Sequence, residues 1–163
     1  MRRAGILIVV PLALVAGCGD PIQQSGATPW KIPISPAAGE RWSGELTIDR
    51  ANGKISAPGF NDLVNRSSPS WAGTPDTAAA ELLGLNGPFD GRPEIYLLQG
   101  TEQDKAVVTA TITNLGDDSV DAERYRVVFT GDRDSRYRFA SGERTVKCRS
   151  GRGHQDFDVS ACS

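Results

Sequence analysis

The hydrophobic and polar positions along this chain divide it into three parts. An apolar run follows two basic residues at the start, a proline-rich stretch comes next, and the remainder shows the spacings of helices and strands. This pattern predicts a cleaved leader over residues 1–17, an extended tether over 18–41 and one folded domain over 42–163.

The first half of the domain has the pattern of a short strand followed by two helices. Alternation over 45–49 predicts the strand, and Asn52-Gly53 is a strong signal for a tight turn after it. Apolar residues at helical spacing predict a helix over 56–65, with Ser56 as its N-cap. A second helix is predicted over 74–85, because threonine, proline and aspartate begin it in the order that suits a helix start.

The second half of the domain alternates as four strands, over 94–99, 105–114, 119–130 and 136–148. In the last two the apolar positions change parity partway, in the fourth near Ser141-Gly142, and such a change is typical of a β-bulge. Two N-terminal helices followed by a meander predict an α+β fold, with the helices packed on a curved antiparallel sheet. This order of elements resembles the cystatin and NTF2-like architectures.

The charge balance excludes one class of function. The chain has 18 Lys+Arg against 20 Asp+Glu, a formal net charge of −2, whereas proteins that neutralise phosphates carry a strong basic excess. Loss of Arg2 and Arg3 with the leader would leave 16 basic against 20 acidic side chains, a net charge of −4. We therefore expect no nucleic-acid partner, and we expect no cofactor.

The start of the chain has the parts of an export signal. Met1-Arg2-Arg3 is positively charged and 4–14 is apolar, and this run is too short to span a bilayer. The sequence Val15-Ala16-Gly17-Cys18 that follows resembles the lipobox of bacterial lipoprotein precursors. The resemblance implies that Cys18 receives a diacylglycerol thioether and becomes the acylated first residue of the mature protein. An ordinary cleaved signal with a chance cysteine is the alternative.

Such an anchor implies a location on the extracytoplasmic face of the cell membrane. Each buried methylene contributes about 0.8 kcal/mol, so two or three acyl chains hold a protein where one would not. The partner that this resemblance implies is therefore the membrane itself, bound through the N-terminal lipid.

The tether combines prolines with an apolar alternation. Four of the ten prolines lie in 19–41, and proline interrupts both helices and sheet ladders. Trp30, Ile32 and Ile34 alternate within this stretch, a pattern that a simple spacer does not need. We expect them to dock on the domain as an edge strand. Contact of Trp30 with lipid headgroups near the anchor is the alternative.

With Cys18 bonded to lipid, two cysteines remain. Because thiol pairs outside the cytoplasm are usually oxidised, the sequence predicts a Cys148–Cys162 disulfide that pins the tail to the last strand. Closing a loop of this length would contribute about 3 kcal/mol in the chain-entropy model. A zinc site of Cys148, His154 and Cys162 is the alternative, but a fourth ligand and a CxxC pair are missing, so no metal is expected.

The loop between these cysteines contains Arg149, Arg152 and His154, the only histidine. One interpretation is a tight stapled loop with glycines at positive φ and Phe157 in the core. The other is a site in which the three cationic side chains converge on an anionic group. The segment GRGHQDF, residues 151–157, resembles the C-terminal tail of uncharacterised secreted and lipoprotein sequences from actinobacteria, which implies a compartment and no activity.

Alternation also predicts a cluster of arginines on the last hairpin. Tyr125, Val127 and Phe129 are expected to face inward, as are Tyr137 and Phe139. This orientation places four arginines on one outward face: Arg124, Arg126, Arg136 and Arg138. One interpretation is a solvated face balanced by the acids Glu123, Asp132, Asp134 and Glu143. The other is a docking surface for an acidic envelope polymer or a partner protein.

The residues form no recognisable catalytic constellation. No GxSxG elbow precedes His154, and no pair of acids stands in a glycosidase frame. The sequence therefore predicts a non-catalytic binding or accessory module at the cell surface. The alternatives are an envelope hydrolase that uses acidic residues or His154, and a carrier that holds a lipid or small ligand in a concave sheet.

Overall fold

The computed structural model of the protein describes residues 40–88, 91–131 and 136–163. The predicted leader, Cys18 and the alternating residues Trp30, Ile32 and Ile34 lie outside the described residues, as does the loop 132–135. Within the described ranges, no helix is long and apolar enough to cross a membrane.

The architecture is mixed α+β, as the sequence pattern predicts. Two helices precede a four-stranded antiparallel sheet with the strand order β3-β4-β5-β6, and a separate small hairpin pairs β1 with β2. In chain order the elements are β1 (Thr47–Ile48), β2 (Ile55–Ser56), α1 (Phe60–Ser67), a 3-10 turn (Ser70–Gly73), α2 (Pro75–Leu82), β3 (Gly91–Glu102), β4 (Lys105–Leu115), β5 (Val120–Gly131) and β6 (Tyr137–Cys148).

Both helices are shorter than predicted. The expectation that Ser56 caps α1 is wrong, because Ser56 pairs with Thr47 in the small hairpin. The helix begins only after Gly59, which has a left-handed φ of 80°. α2 begins at Pro75 as predicted but ends at Leu82, because Gly84 turns the chain with a φ of 64°.

All four predicted strands are present, and both changes of parity are bulges. The register shifts between Val120 and Ala122 on β5. On β6, Ala140 is an extra residue, since Val128 pairs with Ser141 while the next residue of β5 pairs with Phe139. β3 extends to Glu102, beyond the predicted end, because a two-residue turn at positive φ joins it directly to β4.

The helices and the 3-10 turn pack on one face of the sheet, which we call the core face. Its fully buried side chains include Phe60, Val64 and Leu82 from the helices and Val108, Val127 and Phe129 from the strands. Burying each such side chain stabilises the fold by about 1.5–3 kcal/mol. This packing fixes which side chains of each strand are left for the opposite face.

The β6 edge of the sheet is covered by elements from the first half of the domain. The side-chain amide of Asn61 donates to the carbonyl oxygen of Phe139 and accepts from its N–H, both at 2.9 Å. Further along, the N–H of Arg144 donates to the carbonyl oxygen of Gly53 at 2.8 Å. α1 and the small hairpin therefore supply partners to an edge that would otherwise be open.

The C-terminal segment covers the rest of this edge, and the predicted Cys148–Cys162 disulfide is confirmed, with the two Cα atoms 5.5 Å apart. Val146 and Asp158 exchange two backbone hydrogen bonds, and the N–H of Cys148 donates to the carbonyl oxygen of His154 at 3.0 Å. The tail is thus fixed to the last strand by hydrogen bonds and a covalent link.

Candidate functional site

Strand register determines which candidate residues share a face. We call the face opposite the helices the outer face. Its central residues are Tyr96 and Leu98 on β3, Thr109, Thr111 and Thr113 on β4, and Arg124 and Arg126 on β5. Among the described residues, Leu98 is the one large apolar side chain classed as exposed, at 51%. The outer face therefore combines a row of hydroxyls with a few apolar and cationic groups.

Both arginines of the outer face have partners within the domain. The guanidinium of Arg124 lies 3.7 Å from the centroid of the Phe157 ring, a cation–π contact. Arg126 forms an ion pair with Glu102 on β3. Phe157 is half-buried against Arg124 rather than in the core, so the expectation that it enters the core is wrong.

The other two arginines of the predicted cluster turn toward α1. The predicted hairpin is confirmed, with Arg138 opposite Thr130, but the Nε of Arg138 donates to the Asn65 side chain at 2.6 Å. Arg136 donates to the hydroxyl of Ser68 at 2.7 Å. The four arginines therefore occupy two places, one pair on the outer face and one pair beside the end of α1.

Glu123 does not balance the outward arginines as expected, because it lies on the core face. The hydroxyl of Tyr125 donates to one carboxylate oxygen of Glu123 at 2.5 Å, and Arg144 donates to the other. Burial, followed by the charge of Glu123, raises the pKa of the Tyr125 hydroxyl. Burial acts to lower the pKa of Arg144, but the hydrogen bond and charge of Glu123 outweigh it and raise that pKa. The three side chains satisfy one another.

Sequence reasoning missed this Glu123–Tyr125–Arg144 cluster, although alternation contained the signal. A strand that turns Tyr125 and Val127 inward turns Glu123 inward as well. A carboxylate directed to a core face requires a cationic or hydrogen-bonding partner, and Arg144 lies directly opposite Tyr125 on β6.

The arginines of the stapled loop brace the turn between β4 and β5. Arg149 donates through Nε to the carbonyl oxygen of Asp117 at 3.0 Å and through Nη2 to that of Leu115 at 3.2 Å. Arg152 lies 3.7 Å from a carboxylate oxygen of Asp118. Asp117 itself accepts from the N–H groups of the following residues, and these bonds lower the pKa of its carboxyl. The two arginines are engaged with the turn.

His154 is engaged elsewhere, inside the stapled loop. Its Nδ1 lies 2.8 Å from the carbonyl oxygen of Asp156, and its Nε2 lies 3.0 Å from that of Ser160. A carbonyl oxygen only accepts, so both contacts are hydrogen bonds when both nitrogens carry protons. The Ser160 carbonyl, and then that of Asp156, raise the pKa of His154 above its ordinary value. The loop thus favours an imidazolium, which has no lone pair for a general base or a metal ligand.

The zinc alternative has its three side chains in one place but not their required chemistry. The ligand atoms of Cys148, His154 and Cys162 lie within 4.8 Å of one another. Zinc binds thiolates, whereas these two sulfurs are bonded to each other. In this oxidised form the trio is a covalent and hydrogen-bonded staple.

A cavity of about 290 Å³ lies where the β6 bulge meets the small hairpin. It is lined by Lys54 and Ile55 of the hairpin, Arg126 of β5 and residues 140–143. A Cβ on Gly142 would lie 3.0 Å from the Cδ1 of Ile55, so glycine allows the hairpin to approach β6 closely. This cavity is at the edge of the sheet, whereas the carrier alternative predicts a pocket in the concave sheet.

Neither a scan of protein-family models nor searches of curated proteins and of solved structures find a match for this chain. The described domain offers a polar outer face, a covalently stapled tail and core-face charges that are paired with each other.

Proposed function

We propose that the protein is a bacterial lipoprotein, anchored through Cys18 to the extracytoplasmic face of the cell membrane, with a domain that is a non-catalytic binding or accessory module. The observation that carries the proposal is the closed Cys148–Cys162 disulfide. Disulfides persist outside the cytoplasm and are rare within it. The domain's chemistry thus agrees with the compartment implied by Val15-Ala16-Gly17-Cys18.

The anchor is tested by expressing the full chain and its Cys18→Ser variant in bacteria supplied with a labelled fatty acid. The wild type should be shortened by its leader, labelled, and recovered in the detergent phase of a detergent–water partition. Cys18→Ser should be unlabelled and remain unprocessed. Cys162→Ser is the matched control, because it removes a different sulfur and should keep the label. Equal labelling of the wild type and Cys18→Ser would overturn the anchor.

A non-catalytic role is supported by how the reactive side chains are used. The sulfurs of Cys148 and Cys162 are in a disulfide, and both ring nitrogens of His154 face carbonyl oxygens. The part-buried carboxylate of Glu123 accepts from Tyr125 and Arg144. Groups tied in this way act in the structure, whereas a general base needs a free acceptor directed at a substrate.

The surface we propose for binding is the outer face, and the partner is an extended acidic polymer of the envelope. The threonine row provides hydroxyls to a chain lying along β4, and Leu98 on β3 provides an exposed apolar contact beside it. Arg124 and Arg126 lie beside this row, where a guanidinium can pair with a carboxylate or phosphate of the polymer.

Binding is tested by measuring retention of the anchored protein on cell-wall fractions at low and high salt. Arg126→Glu should reduce retention at low salt, because it reverses a charge beside the threonine row. The fold should persist, since exposed ion pairs such as that with Glu102 contribute only about 0–1 kcal/mol. Arg50→Glu makes the same change in an exposed position of the small hairpin and should bind like the wild type. Equal retention of both variants would leave the outer face as a solvated surface.

A finer architecture also belongs to this proposal. The two bulges on β5 and β6, and the packing of both helices on one face, support a sheet that curves around the helices in the manner of cystatin or NTF2-like folds.

A further inference from the structure

The two edges of the sheet are treated differently. β6 is covered by Asn61, the small hairpin and the C-terminal segment, whereas β3 pairs with β4 on one side and with none of the described strands on the other. Among the residues that the structure describes, none forms a hydrogen bond to the free side of β3. The tight turn after Glu102 makes Glu102 and Lys105 a hydrogen-bonded pair. The direction of the backbone N–H and C=O groups alternates along a strand. The groups of the odd-numbered residues 95–101 therefore point away from β4, toward the free edge.

The core-face side chains of β3 are incompletely buried at this free edge. Ile95 and Leu97 pack against a buried cluster that includes Ala80 of α2 and Ala110 of β4, yet both stay half-buried. In an antiparallel pair, residues directly opposite each other point to the same face. A strand added here would complete the burial of Ile95 and Leu97 if its apolar side chains stood at the positions that hydrogen-bond to β3.

The segment 30–34 of this chain meets that requirement. Trp30, Ile32 and Ile34 are apolar, while Pro29 and Pro33 occupy the alternate positions. Proline has no N–H, so an added edge strand must direct its prolines away from its neighbour. That orientation necessarily directs the backbone of the three apolar residues toward the neighbour.

The point at which the chain enters the described domain is within reach. The carbonyl oxygen of Glu40 accepts from the indole N–H of Trp71, and the N–H of Trp42 donates to Glu81 at 2.8 Å. Ala80, beside Glu81 on α2, belongs to the cluster that contacts Ile95. An extended chain from 34 to 40 spans at most about 20 Å, which suits a strand docked near this end of α2.

We propose that residues 30–34 add to β3 as an antiparallel fifth strand, with Ile34 opposite Ile95 and Ile32 opposite Leu97. This register leaves Pro93 beyond the end of the new ladder, whereas a shift by two residues in one direction would place Ile34 on Pro93. A shift in the other direction would leave Ile95 without an apolar partner. If the chain is anchored at Cys18 as proposed above, 18–29 remains as the spacer, about 20 Å long as a flexible coil.

The register predicts one crosslink. Lys31 and Leu98 would be a non-hydrogen-bonded pair, the closest kind of neighbour across an antiparallel ladder. In the full chain, the variant Lys31→Cys with Leu98→Cys should form an intramolecular disulfide under mild oxidation, identified by peptide mass mapping. The matched control is Lys31→Cys with Thr130→Cys, which places the second thiol two strands away on the same face. It should form at least about tenfold less of its bridge, because its effective concentration is lower.

Two results of this experiment would overturn the proposal. One is an equal yield of both bridges. The other is a covalent dimer of the single variant Leu98→Cys, because that result would place β3 against a second copy of the chain.

Proline substitution tests the orientation of the added strand independently. Ile32→Pro removes an N–H that would point at β3. Lys31→Pro removes an N–H that would point away from β3. Hydrogen exchange at the Leu97 amide of the full chain should accelerate at least about tenfold in Ile32→Pro and remain slow in Lys31→Pro. Equal exchange in both variants and the wild type would overturn the docking. The same measurement in Cys18→Ser should give the same result, so failure of docking and failure of anchoring are separate outcomes.

Discussion

At the scale of single residues, the protonation of His154 is linked to folding. Its two ring nitrogens face the carbonyl oxygens of Ser160 and Asp156, and these acceptors raise its folded-state pKa above the ordinary 6.5. The nearby carboxylates of Asp158 and Asp156 act in the same direction. Because the folded pKa is the higher one, the stabilisation is fully present below the unfolded value and is lost as pH rises through the folded value.

We therefore expect the free energy of unfolding to decrease as pH is raised from 6.5 through the elevated pKa of His154. The measurement is urea unfolding across this range, together with an NMR titration of the imidazole, which is unambiguous because the chain has one histidine. His154→Gln should remove most of this pH dependence. A titration midpoint at or below 6.5 would contradict the assigned hydrogen bonds.

Gly53 is required where the small hairpin meets β6. Its φ is 70°, and a Cβ would lie 2.4 Å from the carbonyl oxygen of Arg144 and 2.9 Å from the Cγ1 of Val159. Gly59 has a φ of 80° but no atom within 4 Å of its Cβ position. Both Gly→Ala changes should cost about 1–2 kcal/mol for the left-handed backbone. Gly53→Ala should cost more than Gly59→Ala, because its Cβ would also collide with neighbouring atoms. Equal unfolding midpoints for the two variants would contradict the close approach.

The predictability of side-chain partners depends on how local the information is. The pairing of Cys148 with Cys162 follows from composition, because setting aside Cys18, the proposed lipidation site, leaves only two cysteines. One partner of Arg138 is Asn65, which lies 73 positions away in sequence. Alternation predicts the face on which a strand residue begins, but not the helix end toward which a long side chain turns.

At the scale of elements, strands were predicted better than helix ends. The strand pattern persists over ten or more residues, and the change of parity on β6 marks an extra residue, Ala140. The start of α1 depends instead on a tertiary choice, because Ile55–Ser56 pairs with β1 rather than continuing the helix. Local capping chemistry at Ser56 could not reveal that competing strand.

The packing of α1 against β6 depends on one amide. Asn61 satisfies both backbone groups of Phe139. Asn61→Ala should destabilise the domain by about 1–3 kcal/mol, because it leaves a donor and an acceptor of β6 without partners. Asn65→Ala is the matched control on the same helix. Asn65 is itself exposed, and among the bonds described its amide meets only Arg138, so the cost of Asn65→Ala should be well below that of Asn61→Ala.

Urea unfolding and the exchange rate of the Phe139 amide measure this effect directly. Faster exchange of that amide in Asn61→Ala, with wild-type exchange in Asn65→Ala, is the expected pair of results. The same exchange rate in both variants would mean that Asn61 does not hold α1 to the strand.

At the scale of the whole molecule, one edge of the sheet gathers contacts from both ends of the domain. α1 and the small hairpin cover β6 from the first half, and the C-terminal segment covers it from the other. The sequence predicted the staple because cysteine chemistry is local. It could not predict the convergence on β6, because backbone contacts between distant segments leave no periodic signal.

The disulfide should therefore link the stability of the tail to the titration of His154. Replacing both Cys148 and Cys162 with alanine should cost about 3 kcal/mol, from the freedom that the unfolded loop regains. It should also weaken the pH dependence, since the carbonyls of Asp156 and Ser160 are held in place by the stapled loop. Combining these replacements with His154→Gln gives a double-mutant cycle, which is measured by urea unfolding at a pH below 6.5. Additive losses would show that the two features act separately, whereas a combined loss smaller than the sum is expected for a single staple.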